Sequence, residues 1–269
     1  MTEPLTKTPR QAKPLPAAVL CDLDGTLLDT EQPWLETIRV TLEDLGIAMS
    51  ERQLLRFEGA TVSQTARRII DEYFLGRVPS GLASAAELGE RIELASLRVQ
   101  RGAARWKPGA REMLADLREA RVPVAIVTSS SRRWYEQLSD ELALEGFAHV
   151  VTADDVRATK PDPEPYRHAA GLFGLRASDC LAIEDSEVGM RAALAAGCRT
   201  VLVRADPGAD LNTVSREDFG PGHGGAPEPW TVEAHVRVSS LVGLGSDWAA
   251  KICDLDRLSL FEHNPKGTP

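Results

Sequence analysis

The sequence lacks any long apolar run, which restricts the kinds of protein that it can encode. None of its 269 residues lies in a stretch approaching the roughly 20 apolar residues that a membrane-spanning helix needs. The opening residues, MTEPLTKTPRQAKPLP, have no apolar core of the kind found in secretory signals. The net charge of -9 disfavours nucleic acids and anionic membranes as partners. We therefore expect a cytoplasmic protein that binds neither nucleic acid nor membranes.

Cysteine and aromatic residues are also scarce. The four cysteines show no spacing typical of a metal site, so we expect reduced, buried thiols, in keeping with a cytoplasmic location. Aromatic residues make up 5% of the chain, and the five histidines are dispersed, so we assign no histidine to catalysis. The cysteines are Cys21, Cys180, Cys198 and Cys253.

The pattern along the chain predicts an α/β fold with an inserted helical unit. An apolar strand precedes residue 22, and strands alternate with helical patterns after Pro108, which indicates a Rossmann-like parallel sheet flanked by helices. Residues 32–104 show helical periodicity without strand signals, so we predict an all-helical cap there. Residues 17–31 and 105–269 would form the core.

Two further segments have the composition of irregular chain. Residues 1–16 are rich in proline and threonine and predict a mobile N-terminal tail. Residues 206–229 are rich in glycine, proline and aspartate and predict a long irregular loop. Because this loop would follow a strand at its carboxyl end, we hypothesise that it borders the active-site cleft.

Polar side chains follow four of the predicted strands. In open parallel sheets, ligands bind at the carboxyl ends of the strands, so these groups are expected to meet at one edge. Each has an ordinary alternative as a turn former, helix cap or surface residue, but their joint occurrence favours a catalytic site. They are Asp22 and Asp24, then Thr128, Ser129 and Ser130, then Lys160, and finally Glu184 and Asp185.

These motifs resemble those of the haloacid dehalogenase superfamily, in the phosphatase branch near β-phosphoglucomutase. The resemblance rests on DLDGT from residue 22, the threonine that ends VAIVT, KPDPEPY from residue 160, and IEDSEVG, which contains Glu184. It covers residues 17 to about 205. The helical insert is similar to the cap of this branch.

The resemblance implies a role for each matching residue. Asp22 would be the nucleophile that forms an aspartyl phosphate, and Asp24 would be the general acid and base. Thr128, Ser129 and Lys160 would bind the phosphate. Carboxylate ligands without soft donors favour Mg²⁺ as the cofactor. The resemblance implies Asp22 and Asp185 as side-chain ligands and Asp24 as a ligand through its carbonyl, with Glu184 supporting the site.

Three functions remain open, and the first is favoured. A Mg²⁺-dependent phosphatase for a small phosphorylated metabolite, such as a sugar phosphate, uses every motif. A hexose-phosphate mutase of the same branch would carry a histidine where this chain has Trp34. A non-catalytic binding or regulatory protein on this fold would not need the intact catalytic positions. No protein partner is implied by any of the three.

Residues of the predicted cap that could contact substrate are less distinctive. Glu31 lies where the chain enters the cap, and it could contact substrate or simply begin a helix with an acidic first turn. Arg56 and Gly59 in RFEGAT occupy the position of the substrate loop in the family, although a surface turn would have a similar composition.

Overall fold

A six-stranded parallel sheet forms the centre of the protein, described by a computed structural model for residues 15–57, 60–204 and 236–250. The strands are β1 Ala18–Cys21, β4 Val124–Val127, β5 His149–Val151, β6 Cys180–Glu184, β7 Arg199–Val203 and β8 Val236–Val238. They lie side by side in the order β5-β4-β1-β6-β7-β8, so β1 lies between β4 and β6.

Strand β1 is buried on both faces, which explains its continuous apolar sequence. Val19 and Cys21 join the core cluster on one face, whereas Ala18 and Leu20 join the cluster on the other. This alternation follows from the two-residue period of a strand. Helices pack on both clusters, so the core has the predicted layers of helix, sheet and helix. The core helices are α5 Ala110–Glu119, α6 Arg132–Leu142, α7 Glu164–Leu172 and α8 Glu187–Ala196.

A helical unit is inserted in the chain between strands β1 and β4 of the sheet. Within the described residues from 31 to 100 the regular elements are all helical, as the periodicity predicts. Phe57, Ile69 and Ile92 are fully buried in its own apolar cluster. The helices are α1 Glu31–Asp44, α2 Glu51–Leu54, α3 Val62–Tyr73 and α4 Ala85–Gln100, with a 3₁₀ turn at Leu55–Phe57.

A short antiparallel ribbon joins the helical unit to the core and was not expected from the sequence. Strand β2, Leu28–Asp29, pairs with β3, Arg105–Trp106. The chain therefore leaves and re-enters the core at adjacent positions. The predicted boundaries of the cap at 32 and 104 stay predictions.

Several expectations concern residues outside the described ranges. The tail at 1–16 falls almost wholly outside them, and the loop at 206–229 does so entirely, as does Cys253. The other three cysteines are buried and free, as expected. None of the helices in the described ranges is long and apolar enough to cross a membrane.

Leu20→Ala tests the dependence of the fold on its central strand. Leu20 is fully buried, so its truncation should lower the free energy of unfolding by about 2–5 kcal/mol, measured by urea denaturation. Leu172→Ala is the matched control, because Leu172 is 43% exposed at the end of α7 and should change stability by less than about 0.5 kcal/mol. Equal losses in the two variants would contradict this account of the core.

Candidate active site

Three carboxylates meet at the carboxyl edge of the sheet. Asp22 directly follows β1, Glu184 ends β6, and Asp185 follows it. Pairing of β1 with β6 places these ends side by side, and the Asp22 amide donates a hydrogen bond to the Ile183 carbonyl at 3.0 Å. Ligand oxygens of the three carboxylates lie within 4.8 Å of one another. The three residues therefore lie together, as their positions at the ends of strands predict.

Lys160 bridges two of these carboxylates. Its Nζ lies 2.6 Å from Oδ1 of Asp22 and 2.5 Å from Oε1 of Glu184. The lysine is 3% exposed, so its ammonium group depends on these partners in place of water. Lys160 reaches the site from the chain between β5 and α7.

Glu184 is held by more than the lysine. The Tyr166 hydroxyl donates to the same Oε1, and the Ser186 hydroxyl donates to Oε2 at 3.2 Å. A Cβ at Gly189 in α8 would overlap this carboxylate, so glycine makes room for it. These contacts favour Glu184 as the group that orients Lys160, and its predicted support of a metal stays a prediction.

The turn after Asp22 is shaped around Asp185. Gly25 has φ +85°, a conformation that favours glycine, and a Cβ there would overlap the Asp185 carboxylate. The Thr26 hydroxyl donates to Oδ1 of Asp185 at 2.9 Å. The sequence Gly-Thr is thus required by the close approach of a carboxylate as well as by the turn.

The donor set could hold a hard divalent cation. Oδ2 of Asp22 is buried and has no hydrogen-bond partner among the described residues, so a buried carboxylate oxygen remains unsatisfied. Asp22 and Asp185 present carboxylate oxygens, and no cysteine or histidine belongs to the acidic cluster found in the described ranges. Oxygen donors of this kind fit Mg²⁺ better than zinc.

Burial controls the protonation of these groups. It raises the pKa of Asp22 to about 7, against the opposing charge of Lys160. Burial and the charges of Asp22 and Glu184 raise the pKa of Asp185 well above its usual value. Burial alone would lower the pKa of Lys160, but the charges of Asp22 and Glu184 outweigh it and the net shift is upward. A cation bound by the two aspartates would therefore have to compete with protons.

Asp24 lies in the same edge but in a different environment. Its Oδ2 accepts hydrogen bonds from the hydroxyls of Thr128, at 3.1 Å, and Ser130, at 2.8 Å. Its Oδ1 accepts from the hydroxyl of Thr30 at 3.0 Å and from the indole of Trp134 at 3.1 Å. A carboxyl group surrounded by donors in this way is held in one orientation.

The predicted phosphate-binding residues follow β4. The Thr128 amide donates to the Val151 carbonyl of the neighbouring strand, and its hydroxyl faces Asp24. Ser129 is half-buried at the turn that leads into α6. Lys160, the third predicted phosphate ligand, contacts Asp22 as described above. The binding of phosphate by these groups stays a prediction.

Of the residues predicted to contact substrate, one lies beside this site. Glu31 begins α1, and its charge contributes to the raised pKa of Asp185. Arg56 is exposed and forms an ion pair at 3.0 Å with Glu72 in the helical unit. Gly59 lies outside the described residues.

Sequence reasoning missed several contacts of the site. Tyr166 ends the KPDPEPY motif that begins at Lys160, but only the fold shows its hydroxyl on Glu184. Trp134 occupies the first turn of α6, and nothing in the sequence shows that its indole reaches Asp24.

Comparison with known proteins agrees with this geometry. Residues 19–203 match the family model described as haloacid dehalogenase-like hydrolase, which is more than half of the chain. The chain belongs to this family. The expected membership of the haloacid dehalogenase superfamily is confirmed, and its placement near β-phosphoglucomutase stays a prediction.

Several relatives in this family are named phosphatases. The chain is 33% identical over 190 residues to hexitol phosphatase A of Escherichia coli (strain K12), a match that covers 69% of this chain and 82% of that protein. It is 32% identical over 197 residues to the bifunctional riboflavin kinase/FMN phosphatase of Arabidopsis thaliana, covering 72% of this chain. That match spans 50% of the relative, so the chain corresponds to half of it.

A solved structure supports the fold. The crystal structure of β-phosphoglucomutase from Clostridium difficile superposes with a TM-score of 0.70 and covers 90% of this chain and 99% of that one. The sequence identity is 17%, so this likeness concerns the fold alone. The predicted α/β sheet with an inserted helical cap is therefore confirmed.

Gly189→Ala tests the clearance that the site requires. The added methyl group would overlap the Glu184 carboxylate, so we expect a loss of about 1–3 kcal/mol in the free energy of unfolding. Gly171→Ala is the matched control in α7, because nothing lies within 4 Å of its Cβ position. Alanine favours the helix there and should stabilise the protein by up to about 1 kcal/mol. Thermal or urea unfolding should show that the free energy of unfolding falls in Gly189→Ala and rises in Gly171→Ala. Changes of the same sign in both variants would contradict the close packing of Gly189 on Glu184.

Proposed function

We propose that the chain is a Mg²⁺-dependent phosphatase that hydrolyses a small phosphorylated metabolite, such as a sugar phosphate, through an aspartyl phosphate. The class of enzyme, a phosphoric monoester hydrolase of the haloacid dehalogenase type, follows from the family match and the phosphatase relatives. The observation that carries the finer proposal is the convergence of Asp22, Lys160 and Asp185 at one edge of the sheet.

Asp22 is the nucleophile in this proposal. Its carboxylate attacks phosphorus, a new O–P bond forms, and the bond from phosphorus to the alcohol oxygen breaks. Lys160 holds Oδ1 of Asp22 at 2.6 Å and so fixes the direction of attack. Two opposite unit charges about 4 Å apart attract by roughly 4 kcal/mol at an effective dielectric near 20, so this ammonium group also offsets phosphate charge.

Mg²⁺ would be held by Asp22 and Asp185 with the Asp24 carbonyl, and when bound it would neutralise negative charge on the phosphate and the nucleophile. The unpartnered Oδ2 of Asp22 supports this assignment. Thr26 holds Asp185 in the orientation needed for a ligand. Thr128 and Ser129 would bind phosphate oxygens.

Asp24 transfers the protons. It gives a proton to the leaving alcohol oxygen and then takes one from the water that attacks the aspartyl phosphate. Hydrolysis of that O–P bond releases inorganic phosphate and restores Asp22. A separate acid is needed because Asp22 is bonded to phosphorus when the alcohol leaves. The donors around Asp24 support this role by fixing its carboxyl group.

The alternatives have less support. Trp34, at the position where the related mutases would carry histidine, donates its indole N–H to the Phe57 carbonyl at 2.9 Å and packs in the apolar cluster of the helical unit. Water is therefore favoured over a second sugar hydroxyl as phosphoryl acceptor. A binding protein without catalysis would not need a buried lysine between two carboxylates.

Asp22→Asn tests the nucleophile. In a screen of phosphate esters with Mg²⁺, the wild type should release inorganic phosphate and the variant should lose at least about 10³-fold in kcat, because an amide cannot form the aspartyl phosphate. Asp154→Asn changes an exposed carboxylate that does not belong to the acidic cluster, so this control should keep activity. Full turnover by Asp22→Asn would exclude this mechanism, and isomerisation of glucose 1-phosphate without phosphate release would favour the mutase.

The competition between protons and Mg²⁺ predicts a pH-dependent stabilisation. Because Asp22 has a pKa of about 7 in the folded protein, above its unfolded value, the stability of the metal-free protein falls as pH rises from that unfolded value and levels off above about 7. Mg²⁺ binds the ionised form, so it should raise the melting temperature more at about pH 8 than at about pH 5.5.

Asp185→Asn is the control for this measurement, since it removes one proposed ligand and a group with a raised pKa. Its melting temperature should respond little to Mg²⁺ at either pH. An equal response of the wild type at both pH values, or an unchanged response in Asp185→Asn, would contradict the metal assignment.

A further inference from the structure

The indole of Trp134 contacts the proposed acid and base of the reaction. Its Nε1 donates a hydrogen bond to Oδ1 of Asp24 at 3.1 Å. We propose that Trp134 is a positioning residue that fixes which carboxyl oxygen of Asp24 delivers the proton to the leaving alcohol. This inference rests on the phosphatase function proposed above.

The two oxygens of Asp24 face different donors: Oδ1 accepts from the Trp134 indole and the Thr30 hydroxyl, whereas Oδ2 accepts from two hydroxyls. An indole N–H can only donate, whereas a hydroxyl can donate or accept. A proton on Oδ1 would make that oxygen a poor acceptor for the indole N–H, so Trp134 favours Oδ1 as an acceptor even though the Thr30 hydroxyl beside it could rotate. Oδ2 faces the hydroxyls of Thr128 and Ser130, which can rotate to accept a hydrogen bond from a proton on that oxygen. The proton that Asp24 transfers is thus carried by Oδ2.

The position of Oδ2 suits this transfer. Thr128 follows β4 at the carboxyl edge of the sheet, where the phosphate ester is expected to bind. Because Thr128 is a proposed phosphate ligand, the oxygen that it contacts, Oδ2, is the one expected to face the ester, whereas Oδ1 contacts Trp134 of α6 and Thr30 before α1. In the first chemical step the Asp22–phosphorus bond forms, the bond to the alcohol oxygen breaks, and the proton moves from Oδ2 to that oxygen.

The fold gives the indole little freedom to move. Trp134 is 6% exposed and belongs to the core cluster that includes Leu138, one turn further along α6. Ser131 caps the helix by accepting a hydrogen bond from the Trp134 amide at 3.1 Å. The Ser131 hydroxyl in turn donates to Glu93 in α4 of the helical unit. The ring is consequently fixed by packing, by a helix cap and by a contact with the inserted unit.

A second buried tryptophan provides a control for this contact. Within the described ranges, the indole N–H groups of Trp106 and Trp248 are buried without a hydrogen-bond partner. Trp248 is also 6% exposed and lies in the same core cluster. Trp248→Phe therefore removes an equally buried indole N–H that contacts no catalytic group, and it is a matched control.

The test compares Trp134→Phe with Trp248→Phe on two kinds of substrate. One is the alkyl phosphate that the wild type hydrolyses fastest, and the other is p-nitrophenyl phosphate, whose leaving group needs little protonation. Because general acid catalysis contributes about 10²–10⁴-fold, misplacement of the acid should lower kcat/KM for the alkyl ester by about tenfold or more. The loss for p-nitrophenyl phosphate should be less than about threefold, and Trp248→Phe should change the two values equally.

The outcomes separate this inference from the function on which it rests. An equal loss on both substrates in Trp134→Phe, or the same ratio as in Trp248→Phe, would overturn the positioning role while leaving the phosphatase intact. If the wild type shows no turnover, or if its turnover does not depend on Asp22, the proposed function is overturned and this inference with it. Should Trp134→Phe fail to fold, 3-benzothienylalanine at position 134 keeps the ring shape without the N–H, and the same criteria apply to it.

Discussion

The active-site edge depends on the ion pairs of one buried ammonium group. Lys160 is almost inaccessible to water, and its charge is stabilised chiefly by Asp22 and Glu184, which lie on either side of it. The same bridge joins the ends of β1 and β6 to the chain before α7, so it couples the geometry of the sheet to that of the nucleophile. Tyr166 and Ser186 donate hydrogen bonds that hold the carboxylate of Glu184 in this bridge. Glycine at position 189 leaves the space that this carboxylate occupies.

One lysine does not balance the charge of this edge. Asp22, Glu184 and Asp185 bring three carboxylates together, and burial raises the pKa of both aspartates in the absence of further positive charge. A divalent cation would neutralise negative charge on the carboxylates, and the negative charge of a phosphate ester would balance that of the cation and Lys160. Asp24 is held by its own set of donors, which suits its proposed role in proton transfer. The proposed chemistry depends on this difference between Asp22, which lies in a cluster of charged groups, and Asp24, which is held by neutral hydrogen-bond donors.

Much of this arrangement could be predicted from the sequence because parallel strands deliver their ends to one edge. Asp22, Lys160 and Asp185 were expected together for that reason, and the structure places them so. The short β2–β3 ribbon was missed because strands of two residues carry no periodicity. The contacts of Tyr166 and Trp134 were missed because they depend on how helices pack against the sheet, which no local pattern encodes.

The identity of the phosphorylated residue tests the central claim most directly. The wild type, mixed with Mg²⁺ and a substrate from the ester screen and quenched in acid within one turnover, can be digested and its peptides mapped by mass spectrometry. The account predicts one phosphoryl group, carried by Asp22 in the peptide that contains DLDGT. A phosphoryl group on another residue, or rapid turnover with no phosphorylated peptide in the quenched protein, would contradict it.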